Sequence, residues 1–112
     1  MESILKTIKQ QLGVSEEYTV FDTDITIQIN SAFMTLRQLG LGPDAGFHIS
    51  GDTETWDQFG VDEPNLGAVK SLIYLKTKLA FDPPSSSFVI ESFNRQIDEL
   101  VWRLNVDKEE DV

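Results

Sequence analysis

Four segments of this chain repeat their apolar residues every three or four positions, the spacing that puts side chains on one face of an α-helix. Ile4, Leu5, Ile8 and Leu12 predict a first helix over 2–12, with Lys6 and Lys9 on its polar side and Gly13 as its stop. Ile25, Ile29, Ala32, Phe33, Leu36 and Leu39 predict a second over 23–39, capped by Asp22 and ended by Gly40 and Gly42-Pro43. β-Branched residues between Thr23 and Ile29 oppose a helix there, but the longer stripe outweighs them. Leu66, Ala68, Val69, Leu72, Ile73, Leu75, Leu79 and Ala80 predict a third over 65–80. They spread over about half the circumference, so this helix is expected to be central and packed on two sides. Lys76 falls inside that arc and must either snorkel out or meet a carboxylate. Phe81-Asp82-Pro83-Pro84 breaks the chain, and Ser85-Ser86-Ser87 offers caps for a last helix over 87–105. Its stripe is Val89, Phe93, Ile97, Leu100, Val101 and Leu104, with Glu91–Arg95 and Glu99–Arg103 spaced as ion pairs on the other side.

Residues 44–63 follow no single period. Residues 47–54 suit a short β-hairpin turning at Gly51-Asp52. Thr55-Trp56-Asp57-Gln58 has capping-box spacing and predicts a short helix over 56–60. The expected fold is all-α, a small bundle of four main helices with one irregular insertion. Residues 1–105 make a single domain and 106–112 an acidic tail.

Charge and motif content narrow the function. Against 9 Lys+Arg stand 19 Asp+Glu, a net charge of −10, which argues against gripping nucleic acid through its phosphates. No apolar run is long enough for a membrane span, and Met1 to Lys6 lacks the basic start of a signal peptide. With no cysteine there is neither a thiol nucleophile nor a thiolate metal site. Phosphate-cradling glycine motifs and the nucleophile elbow are absent. His48, the one histidine, reads as a loop residue. Asp22-Thr23-Asp24 opens like a calcium loop but has Ile27 where glycine is required, and Asp52 to Asp57 fails the same test. The chain is therefore expected to be no enzyme and to hold no cofactor or metal.

Large apolar residues on otherwise polar faces are the candidates for contact with other chains. Trp102 points nearly opposite the last helix's stripe, among Glu91, Arg95 and Glu99, and Phe88 shares that side. Ile27 and Met34 form a second ridge on the second helix. The competing expectation is that residues 44–63 fold back over these positions, and that Phe88 is a helix-start staple. Trp56 and Phe59 are candidates within the insertion, or else the side chains that pin it to the body.

One resemblance runs through nearly the whole chain. In order it carries Phe21-Asp22-x-Asp24-Ile25, a helix containing Asn30, Gln38-Leu39-Gly40-x-Gly42-Pro43, Phe47-x-Ile49 and Trp56-x-x-Phe59. Its most specific part is Phe81-Asp82-Pro83-Pro84-x-Ser86 followed by Glu99-Leu100-x-Trp102-Arg103-Leu104-Asn105. The sequence resembles the small head–tail connector, adaptor or head-completion proteins of long-tailed bacteriophages and Gram-positive prophages. That resemblance implies a small all-α protein, monomeric in isolation, that forms a dodecameric ring on the portal. It implies a place at the capsid–tail junction of the virion after synthesis in the host cytoplasm. The partners implied are the portal, neighbouring copies, and a stopper or tail-completion protein, with DNA passing through unbound. A ring needs two different adhesive faces, and an acidic lumen repels DNA. Two rival readings are a small acidic regulatory protein that inhibits a host protein, and an enzyme with an unrecognised carboxylate site.

Overall fold

The Ser3 hydroxyl accepts the Lys6 N–H at 3.3 Å and starts α1 (Ile4–Leu12), which Gly13 ends at φ 80°. This computed structural model describes residues 2–110, with side chains for 2–106. After a linker with turns at Ser15–Tyr18 and Thr19–Asp22 comes α2 (Asp22–Gln38). Asp22 is not its cap, as the sequence reading expected. Phe21 holds that position without a side-chain bond, and the Asp22 carboxylate is turned toward Lys9 instead. The helices α3 (Trp56–Phe59), α4 (Glu63–Phe81) and α5 (Ser87–Glu110) complete the order. Pro64 sits in the first turn of α4, where its missing N–H costs nothing.

The all-α expectation holds, with no strand among the described residues. α4 is the central element and packs against α1, α2 and α5. Its Val69, Leu72 and Ile73 are fully buried, together with Ile4 and Ile8 of α1 and Ile25, Ile29, Ala32 and Leu36 of α2. α5 returns along α4 after the Pro83-Pro84 break and is less covered. Leu104 is its one fully buried apolar residue, while Phe93, Ile97, Leu100 and Val101 are half-buried. The molecule measures 42 × 35 × 20 Å, a slab about two helices thick.

Two boundary expectations change. The hairpin over 47–54 does not form. Asn30 supplies from its side chain what a partner strand would supply, donating Nδ2 to the Ile49 carbonyl at 2.9 Å and accepting the Ile49 N–H at 2.7 Å. Glu54 then closes the next turn on itself, accepting the Ser50 N–H and hydroxyl, both at 2.9 Å. The one β-bridge among the described residues joins Ser3 to Thr55 and ties the insertion to the start of α1. The last helix runs on to Glu110 instead of ending at 105, because nothing from Val106 to Glu110 breaks a helix. The rest of the expected tail, 111–112, lies outside the described residues. Lys76 is half-buried and meets no carboxylate among the described residues, so it snorkels.

Candidate interaction surfaces

The outer face of α5 carries the largest apolar groups left in solvent. Phe88 is 71% exposed and Trp102 64%. Neither is covered by the insertion, and Phe88 does not act as a staple. Arg95 lies between them on the same line, seven residues from each. Of the two ion pairs the spacing offered, Glu99–Arg103 closes at 2.8 Å, whereas Glu91–Arg95 does not. Arg95 has no ion-pair partner among the described residues.

A second surface runs along α2. Ile27 and Met34 are 57% and 66% exposed, so the insertion does not cover them either. It packs instead on the adjoining face of α2, where Phe47 and Phe59 meet Phe33 and Asn30 holds Ile49. Ser31 lies between Ile27 and Met34 and is exposed, leaving a notch. A shallow groove of about 350 Å³, lined by Phe21, Asp24, Ile27, Gln28, Ala80 and Phe81, adjoins this ridge at its N-terminal end.

That end holds apolar surface the sequence reading missed. Tyr18, Val20 and Phe21 are all substantially exposed. The Tyr18, Phe21 and Phe81 rings stack edge to face, with centroids 5.6 and 5.3 Å apart. These linker residues have no helical period to flag them. What holds them is Lys9, which the helical spacing placed on the polar side of α1 but which is 2% exposed. Its ammonium donates to the Tyr18 carbonyl at 2.9 Å and the Glu16 carbonyl at 3.2 Å, and lies 2.7 Å from Asp22 Oδ1. The linker is thus a fixed shelf rather than a loose strap.

Trp56 and Phe59 do not join either surface. Each is only 2% exposed. Phe59 and Phe47 close a triangle of rings with Phe33 of α2, at centroid distances of 5.0 to 5.5 Å. Trp56 donates its indole N–H to the Thr7 hydroxyl at 3.1 Å, and Lys70 lies over its ring while pairing with Glu2. Both side chains pin the insertion to the body, the structural alternative raised from sequence. Their contact role is corrected accordingly, because a buried ring has no face left for a partner.

No group of three potential metal ligands occurs among the described residues, and His48 is exposed in the insertion. Burial pushes the Glu54 carboxyl up, but the two Ser50 donors together with the backbone N–H groups of Glu54 and Gly51 outweigh it and hold it below its ordinary value. The Ser15 hydroxyl does the same for Glu17 at the surface. Among the described residues no helix is long and apolar enough to cross a membrane.

A family model described as a phage connector protein matches residues 4–111. No curated protein and no solved structure matches the chain.

Proposed function

The chain belongs to the phage connector protein family, and from that premise we propose that it is one subunit of a ring beneath the portal. Connector proteins are structural components of the phage particle whose contacts are with portal and tail proteins. In this reading the ring extends the DNA channel and offers its far side to a stopper or tail protein. The observation that carries the reading is the pair of separate exposed apolar surfaces on an otherwise well-buried body, one on α5 and one on α2 with its linker. A closed ring is built from unlike faces, so each subunit needs two. Trp102, Phe88, Ile27 and Met34 are the proposed contact residues. The charge of −10 lets DNA pass without adhering.

Quantitative peptide mass spectrometry on purified tailed particles encoded by a genome carrying this gene tests the reading. About one copy per portal subunit is expected. Absence from intact particles overturns it and favours the acidic regulatory protein.

A further inference from the structure

The two exposed surfaces have matching spacings. On α5, Arg95 and Trp102 are seven residues apart, as are Asp24 and Ser31 on α2, so each pair is separated by about 10.5 Å along its helix. Ser31 is the floor of the notch between Ile27 and Met34. We propose that α5 of one copy lies parallel along α2 of a second copy, with Trp102 seated over Ser31 and Arg95 against Asp24. This rests on the reading that the chain assembles with itself.

Placing Arg95 at Asp24 places Trp102 in the notch without further adjustment. Phe88 then falls about 10.5 Å before Asp24, past the start of α2, over the shelf where Tyr18 and Val20 are exposed. One register therefore covers the large exposed groups of both surfaces. Both members of the charge pair are exposed, and neither has another ion-pair partner among the described residues. Because both halves of the match are on this chain, the occupant is a second copy, held head to tail.

The test uses full-length chains carrying Asp24→Arg, Arg95→Glu or both, with copies per particle as the readout and melting curves as the check on folding. Each single variant is expected to lower incorporation about tenfold or more, and the double variant to restore it to within about threefold of wild type. A double variant no better than the singles, or singles at the wild-type level, overturns the interface. Wild-type copy number reads the connector role separately, so an interface without rescue fails alone. The chain has no cysteine, so orientation can be read by disulfide capture between mixed variants. Ser31→Cys is expected to trap Asn105→Cys of a neighbour, and trapping Phe88→Cys instead overturns the parallel arrangement.

Discussion

The Lys9 ammonium lies 2.7 Å from Asp22 Oδ1, with the lysine 2% exposed and the aspartate 30%. The Glu16 and Tyr18 carbonyls accept hydrogen bonds from the same ammonium, while Asp22 contributes its charge without a hydrogen bond. The pair joins α1 to the start of α2 and fixes the shelf between them. Removing one partner of a buried pair strands the other, which costs far more than the pair's net worth. Lys9→Ala is expected to lose about 3 kcal/mol of unfolding free energy, measured in urea. The exposed pair provides the contrast, since Glu99→Ala should cost no more than about 0.5 kcal/mol.

Gly42 and Gly13 both have positive φ, 85° and 80°, but only one is crowded. A Cβ on Gly42 would overlap the Phe59 ring, whereas at Gly13 nothing lies within 4 Å. Gly13→Ala is expected to cost about 1 kcal/mol for the left-handed backbone. Gly42→Ala adds a clash inside the aromatic triangle and should cost about 2–4 kcal/mol. Equal losses for the two variants would contradict the tight packing of the insertion.

Thr77 is fully buried in α4, and its hydroxyl has no hydrogen-bond partner among the described residues. Replacing it by an apolar group of the same shape removes a desolvation penalty without opening a cavity. Thr77→Val is expected to stabilise the protein by about 1 kcal/mol, read as a higher urea midpoint with an unchanged slope.

The Glu54 carboxyl titrates below the ordinary value of 4.5 in the folded chain. A depressed folded value means that the Ser50 bonds stabilise the fold fully above pH 4.5 and lose that contribution as pH falls through the folded value. Stability should therefore decline with acid, and Glu54→Gln should flatten part of that decline. An unchanged pH profile in the variant would assign the acid loss to other carboxylates.

Trp102 is exposed, so Trp102→Ala should leave the thermal midpoint nearly unchanged, within about 0.5 kcal/mol of stability. Incorporation into particles should fall about tenfold or more. A large drop in the thermal midpoint would instead make Trp102 part of the core and sink its contact role.

Periodicity along the chain was enough to locate α1, α2, α4 and α5, and to show α4 as the helix packed on two sides. Those properties depend on residues within one or two turns of each other, and local spacing records them. The exposure of Trp102, Phe88, Ile27 and Met34 was half legible: their positions on polar faces were visible, but whether residues 44–63 covered them was not. That depended on Asn30, whose side chain claims both backbone groups of Ile49, nineteen residues away, and holds the insertion on the adjoining face of α2. Lys9 shows the same limit. Its place in a helical count is polar, yet two carbonyls and a carboxylate from a later segment bury it, and the apolar shelf of Tyr18, Val20 and Phe21 follows from that burial. Residue order along the chain is sufficient for the helices, the acidic charge and the family. Which charge is buried and which apolar faces stay open is settled on folding, by partners that are distant along the chain and adjacent only in the folded protein.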